Sequence, residues 1–142
     1  MDTVYTEQET GVVAGVLIQG LVPTETHATV VGLSGDLGAG KTTLVQSVAT
    51  VLGVQERVVS PTFVIAKFYE TTHSQWKKLI HIDAYRIEDT KELEILGWDT
   101  IVQEPQTLVV IEWPEIVSAI LPQTTIRYTI EHNGHSRHIT RT

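Results

Sequence analysis

ATVVGLSGDLGAGKTTLVQSVATVL, residues 28–52, is the most informative stretch of this 142-residue chain. Its first seven residues, Ala28–Ser34, form an apolar run that predicts a strand buried on both faces, as in a parallel sheet. A glycine-rich turn follows, and apolar residues then recur at helical spacing from Thr42 to Leu52, before Gly53. The turn matches G-x-x-x-x-G-K-[ST], which binds phosphate when it joins a strand to a helix. We therefore predict a phosphate-binding loop.

The residue types of this loop suit a nucleoside triphosphate. Glycines permit a backbone path in which successive N–H groups point inward, and the helix that follows adds its positive N-terminal end. Lys41 is expected to reach the β- and γ-phosphates, and the Thr42 hydroxyl is expected to bind Mg²⁺. The predicted nucleotide-binding residues of the loop are Gly35, Asp36, Leu37, Gly38, Ala39, Gly40, Lys41, Thr42 and Thr43.

Two acidic residues at predicted strand ends complete the expected catalytic set with Lys41. Glu112 ends the apolar run Leu108–Glu112, where a second acid for the Mg²⁺ shell is needed. Asp83 ends the predicted strand Lys78–Asp83, either joining the metal shell through water or orienting the nucleophile. The alternative for Asp83 is a turn-forming residue paired with Arg86.

Two further segments are candidates for a nucleotide-sensing or partner-binding role. In Ser60-Pro61-Thr62-Phe63, the proline holds Ser60 in an extended conformation, and a hydroxyl there is placed to sense the γ-phosphate. A plain turn is the alternative. Trp113, followed by Pro114 and Glu115, is a core residue, a nucleotide contact or a partner anchor.

The remaining pattern predicts one α/β domain over residues 1–142, a three-layer nucleotide-binding fold with a mixed, mainly parallel sheet and a C-terminal β-hairpin. A capping box at Thr6 and Glu9 predicts an N-terminal helix that ends near Gly20. The other predicted elements are a hairpin of Phe63–Tyr69 and Lys78–Asp83, a short helix from Asp89 to Gly97, and a hairpin of Thr125–Glu131 and Arg137–Thr140 around Asn133-Gly134.

The amino-acid composition excludes several classes of function. The chain has no cysteine, which excludes disulfides and thiol catalysis, and it has no apolar run of membrane-spanning length. Ten basic against seventeen acidic residues give a net charge of −7, which disfavours independent binding of nucleic acid. We expect a cytoplasmic protein that does not contact membranes.

GDLGAGKTT, SPTF, HIDAYR and IEWPE, in this order and at these distances, resemble the TsaE family, formerly called YjeE. The resemblance runs from the N-terminal helix to the final hairpin, and the H-x-D-x-Y-R and E-W-P motifs make it specific. It implies a small bacterial ATPase that uses ATP and Mg²⁺ and acts with TsaB and TsaD in the threonylcarbamoyl modification of tRNA adenosine. Contact with tRNA is then expected only through the complex.

The same resemblance implies roles for individual residues. Thr42 and Glu112 correspond to the Mg²⁺ ligands, Lys41 to the phosphate-binding lysine, and Asp83 to an acid needed for function. Trp113 and the SPTF segment correspond to positions linked to nucleotide response. The N-terminal segment and the C-terminal hairpin, through Thr10 and Arg137, are implied to enclose the nucleotide. Val64-Ile65 departs from the Thr-Leu that follows SPTF in many members.

Three other functional hypotheses are also consistent with a phosphate-binding loop. A small-molecule kinase would bring several lid arginines to the transferred phosphoryl group, but the five arginines of this chain are not clustered. A GTPase would carry an N-K-x-D motif, which is absent. A nucleotide-sensing adaptor without turnover differs from the ATPase only in whether hydrolysis occurs.

Overall fold

The computed structural model describes residues 1–142 and contains one seven-stranded sheet. The strands are β1 (Asp2–Thr6), β2 (Thr29–Ser34), β3 (Ala66–Glu70), β4 (Lys78–Asp83), β5 (Thr107–Glu112), β6 (Ile126–Asn133) and β7 (Ser136–Arg141). Their order across the sheet is β1-β7-β6-β2-β5-β4-β3. The four central strands run parallel, whereas β3, β7 and β1 join by antiparallel pairing.

Helices cover both faces of the sheet and produce the expected three layers. The helices are α1 (Thr10–Gln19), α2 (Lys41–Val51), α3 (Lys91–Ile95) and α4 (Trp98–Ile101), with 3-10 helices at Glu7–Glu9 and Pro114–Ile120. Helices α1 and α2 contribute to the larger apolar core on one face. Helices α3, α4 and Pro114–Ile120 contribute to the smaller core on the other face. The α/β class and the mixed sheet are therefore as predicted.

The continuous apolar runs of the sequence correspond to the central strands. Every residue of β5 is buried, because it lies between β2 and β4 with helices above and below. Leu108 and Val110 belong to the larger core, while Val109 and Ile111 belong to the smaller one. Alternation of side chains along the strand thus explains why β5 has no polar face.

The predicted element boundaries fail at the edges of the sheet. No strand was expected before Thr6, yet Asp2–Thr6 pairs with β7. The capping box of Thr6 and Glu9 does form, but it begins the 3-10 helix that leads into α1. At the opposite edge, β3 begins at Ala66 rather than Phe63, because Ile65 adopts a φ of +69°. The sheet contains as many antiparallel strand pairs as parallel ones, because β1 adds an antiparallel pair at the edge. Parallel pairing is therefore confined to the four central strands and does not predominate.

A close contact between β2 and the segment after β5 determines where that segment lies. A Cβ atom added to Gly32 would stand 2.8 Å from both Cβ and Cγ of Pro114, so only glycine permits this approach. The N–H of Trp113 donates to the carbonyl of Leu33 at 3.1 Å. Together these contacts place Trp113 beside the end of β2, where the predicted phosphate-binding loop begins.

None of the helices combines the length and apolar character that a membrane span requires.

Two glycine substitutions should change stability in opposite directions. Gly32→Ala should lower the free energy of unfolding by about 1–3 kcal/mol, because the new methyl group overlaps Pro114. Gly15→Ala, in α1, should raise it by about 0.5–1 kcal/mol, because its Cβ meets no atom within 4 Å and alanine favours the helix. Urea denaturation measures both. Equal effects would contradict the proposed packing of Pro114 on β2.

Candidate functional site

A cavity of about 400 Å³ opens at the carboxyl ends of β2, β4 and β5. Ligands of open α/β sheets bind at this edge. The cavity is lined by Leu37, Gly38, Gly40, Lys41, Thr42, Thr43, Ser60, Thr62, Asp83, Tyr85, Arg86, Glu112, Trp113 and Arg137. Most of the lining residues are polar, which suits a charged ligand.

The loop between β2 and α2 has the backbone conformation that its glycines predict. Gly35, Gly38 and Gly40 all have positive φ values, and α2 begins directly after Gly40. The guanidinium of Arg137 lies against Gly40, because a Cβ added there would stand 2.9 Å from Arg137 Cζ. The loop therefore directs the N-terminus of α2 towards the cavity, with a buried cation beside it.

Lys41 is held inside this loop by the backbone. Its ammonium donates to the carbonyl oxygens of Gly35 and, at 2.8 Å, Asp36. It also lies 4.4 Å from the centroid of the Trp113 ring, within cation–π distance. Burial lowers the pKa of Lys41, and the negative charge of Glu112 opposes this effect. The Lys41 ammonium thus bonds to neutral carbonyl oxygens, and charged phosphate oxygens would form stronger hydrogen bonds with it.

Side chains from two other elements contact the Glu112 carboxylate. Because side chains alternate along a strand, His81 and Asp83 of β4 and Glu112 of β5 all face α2. The Thr42 hydroxyl lies 2.9 Å from both carboxylate oxygens of Glu112. The Nε2 atom of His81 lies 2.6 Å from Oε2 of the same carboxylate. The cluster joins α2, β4 and β5 at the floor of the cavity.

Asp83 connects the Ser60–Phe63 segment to the same floor. Its Oδ2 atom accepts a hydrogen bond from the Thr62 hydroxyl at 2.8 Å, and the hydroxyls of Thr62 and Ser60 lie 2.7 Å apart. Its Oδ1 atom accepts from the N–H of Tyr85 at 3.0 Å, so Asp83 also stabilises the turn after β4. Arg86 does not pair with Asp83 but lies over the Phe63 ring, 4.9 Å from its centroid.

Trp113 lines the cavity beside Lys41 and Tyr85. Its backbone adopts a left-handed conformation with a φ of +60°, which is rare for a bulky residue and frequent at functional sites. Its ring packs against Tyr85, with the centroids 5.0 Å apart. Glu115, two residues on, accepts a hydrogen bond from the Ser34 hydroxyl at 2.9 Å. Trp113 therefore contacts the loop lysine and the turn after β4 at once.

The structure brings most of the predicted site residues together. Gly35, Asp36 and Ala39 line a second depression on the other side of the loop, towards β6. Arg137 is buried at the main cavity, and its Nη1 atom has no hydrogen-bond partner. Thr10 does not line the cavity, because its hydroxyl donates to the Glu7 carbonyl at the start of α1. Phe63 is 85% exposed, so its side chain faces solvent.

The sequence predicts no role for His81 and Tyr85 of the site, and it predicts Arg86 only as the partner of Asp83 in the turn alternative. His81, Tyr85 and Arg86 all lie in the HIDAYR cluster that was recognised around Asp83. The HIDAYR motif points to this part of the chain. It does not show that His81 contacts Glu112, because that contact depends on the pairing of β4 with β5.

Comparison with known proteins supports the resemblance seen in the sequence. The sequence model described as "Threonylcarbamoyl adenosine biosynthesis protein TsaE" matches residues 4–140. The chain belongs to the TsaE family. The TsaE protein of Haemophilus influenzae is 37% identical over 112 residues, which cover 79% of this chain and 68% of that relative. The TsaE protein of Bacillus subtilis is 40% identical over 105 residues, or 74% of this chain and 63% of the relative.

The TsaE relatives are longer than the segments that align with this chain. The match to the Mycobacterium tuberculosis TsaE protein, 35% identical, covers 75% of this chain but 66% of the relative, slightly under two thirds. The relatives are named tRNA threonylcarbamoyladenosine biosynthesis proteins. Among solved structures, YdiB of Bacillus subtilis superposes with a TM-score of 0.72 at 28% identity, covering 99% of this chain and 83% of that one.

The bond between Thr62 and Asp83 should control the mobility of the Ser60–Phe63 segment. Thr62→Val keeps the shape but removes the donor, and a hydrogen bond to a charged group contributes about 1.5–3 kcal/mol. Amide exchange in residues 60–66 should therefore accelerate by about tenfold or more, while the core strands β2 and β5 stay protected. Thr62→Ser, which keeps the hydroxyl, is the control. Unchanged exchange in Thr62→Val would show that another contact holds the segment.

Proposed function

We propose that this chain binds ATP with Mg²⁺ and hydrolyses it as a member of the machinery that makes threonylcarbamoyladenosine in tRNA. The observation that carries the proposal is the Thr42 hydroxyl, which lies 2.9 Å from both oxygens of Glu112 and directly follows the loop lysine. A hydroxyl at the first turn of a helix and an acid at the end of the neighbouring strand are the pair that phosphate-loop ATPases use. Membership of the TsaE family supplies the process.

The donor set at the cavity floor fits Mg²⁺. This cation prefers hard oxygen ligands, and Thr42 and Glu112 offer a hydroxyl and a carboxylate that are already in contact. Asp83 offers a third oxygen-bearing group from the adjacent strand, in register with Glu112. When bound, Mg²⁺ would neutralise charge on the β- and γ-phosphate oxygens. Thr42 and Glu112 would hold it.

The remaining residues have distinct tasks in this proposal. Lys41 moves from the backbone carbonyls to the phosphate oxygens, where its charge is better compensated. Asp83, a buried acid at the cavity outside the Thr42–Glu112 pair, orients the attacking water. Asp83 also holds Thr62, so a change at the γ-phosphate is transmitted to the Ser60–Phe63 segment.

The proposed partners are TsaB and TsaD, and the proposed location is the cytoplasm. The net charge of −7 supports contact with tRNA through those partners rather than by this chain alone. Trp113, which lines the cavity, and Phe63, which is exposed in the neighbouring Ser60–Phe63 segment, are aromatic residues that suit a partner anchor. If ATP orders this surface and hydrolysis relaxes it, the rate of hydrolysis would set how long the chain stays bound to its partners.

Lys41→Ala should abolish measurable ATP binding. The variant removes the only lysine that lines the cavity, and neighbouring amides do not replace its charge. Calorimetric titration with ATP and Mg²⁺ measures the effect, and circular dichroism verifies folding. Lys91→Ala, at an exposed lysine outside the cavity, should bind like the wild type. Full affinity in a folded Lys41→Ala protein would remove the loop from the proposed site.

Asp83→Asn should reduce turnover much more than binding. Losing a group that orients water costs about a hundredfold or more in rate, whereas the amide keeps the turn and the shape. Phosphate release is measured with and without TsaB, TsaD and tRNA, alongside ATP affinity. Wild-type turnover in Asp83→Asn would leave Asp83 as a turn residue only. Phosphoryl transfer to a small molecule instead of water would favour the kinase reading.

A further inference from the structure

His81 is a fully buried residue whose polar contact is with the proposed metal ligand. It lies in the middle of β4, and its ring is 0% exposed. Nε2 lies 2.6 Å from Oε2 of Glu112, while Nδ1 has no partner. Because an ionised carboxylate only accepts hydrogen bonds, Nε2 carries the hydrogen of this contact. The histidine is therefore a one-sided donor directed at Glu112.

Packing alone does not account for a histidine at this position. Leu79, on the same face of β4, is fully buried in the larger core, and Val110 of that core is the partner of His81 on β5. In such apolar surroundings an unpartnered ring nitrogen is costly, and an aliphatic side chain of similar volume would avoid that cost. The contact with Glu112 is what the imidazole supplies and an aliphatic residue does not.

The geometry of the carboxylate shows what this contact achieves. The Thr42 hydroxyl is equidistant from both Glu112 oxygens, so it does not select one orientation of the group. His81 approaches Oε2 alone. The orientation of the carboxylate plane, and hence the direction in which Oε1 presents its lone pairs, is therefore fixed from β4.

We propose that His81 is a positioning residue for Mg²⁺ binding: its Nε2–H fixes the Glu112 carboxylate in the orientation that receives the metal with the nucleotide. The proposal rests on the proposed function, since it assumes that Glu112 and Thr42 hold Mg²⁺. Donors behind a metal-binding carboxylate orient the ligand, and their removal typically lowers metal affinity about 10–100-fold. His81 itself touches neither metal nor nucleotide.

The test compares ATP affinity in excess Mg²⁺ with ATP affinity in EDTA, by calorimetry. The ratio of the two isolates the metal-dependent part of binding. In His81→Leu this ratio should fall by about tenfold or more, with the EDTA affinity unchanged. His81→Gln, which keeps an N–H donor, should recover part of the loss. Ile80→Val, on the opposite face of β4, is the control for a change in core packing and should keep the wild-type ratio.

The outcomes distinguish a failure of the positioning role of His81 from a failure of the proposed function. A wild-type ratio in folded His81→Leu overturns the positioning role while leaving the proposed function intact. Loss of the ratio in Ile80→Val as well would overturn it too, since packing alone would then explain the effect. If the wild-type protein binds no ATP, or binds it equally with and without Mg²⁺, the proposed function itself fails. His81→Met replaces His81→Leu if the latter does not fold.

Discussion

The contact between the Thr42 hydroxyl and the Glu112 carboxylate is the constraint on which the site depends. It joins two residues that are 70 positions apart in the chain, one at the first turn of α2 and the other at the end of β5. This contact requires β2 and β5 to be parallel neighbours, so that the loop and the acid meet at one edge of the sheet. It also requires the positive φ values of the loop glycines, which direct α2 towards that edge.

The sequence predicts the centre of this structure well, for physical reasons that are local. Strands β2 and β5 are buried on both faces, so their apolar character is continuous and easily recognised. The loop is recognisable because phosphate binding restricts its residue types at fixed spacing. Glu112 and Asp83 follow from the rule that ligands gather at the carboxyl ends of parallel strands.

The parts that were missed depend on contacts that local patterns do not encode. Strand β1 is an edge strand in which Tyr5 is the one buried residue, so its sequence lacks a core face. The bonds from Thr62 to Asp83 and from His81 to Glu112 span 21 and 31 positions. Thr10, which is predicted to help enclose the nucleotide, is not among the residues that line the cavity, and its hydroxyl donates to the Glu7 carbonyl at the start of α1.

The most direct test is a crystal structure with Mn²⁺ and a non-hydrolysable ATP analogue, since Mn²⁺ is located by anomalous scattering. We expect the metal between Thr42 Oγ1 and the Glu112 carboxylate. We also expect Lys41 Nζ to leave the carbonyl oxygens of Gly35 and Asp36 for the phosphates. A nucleotide bound elsewhere, with Lys41 still on those carbonyls and Thr42 still on Glu112, would contradict the proposed site.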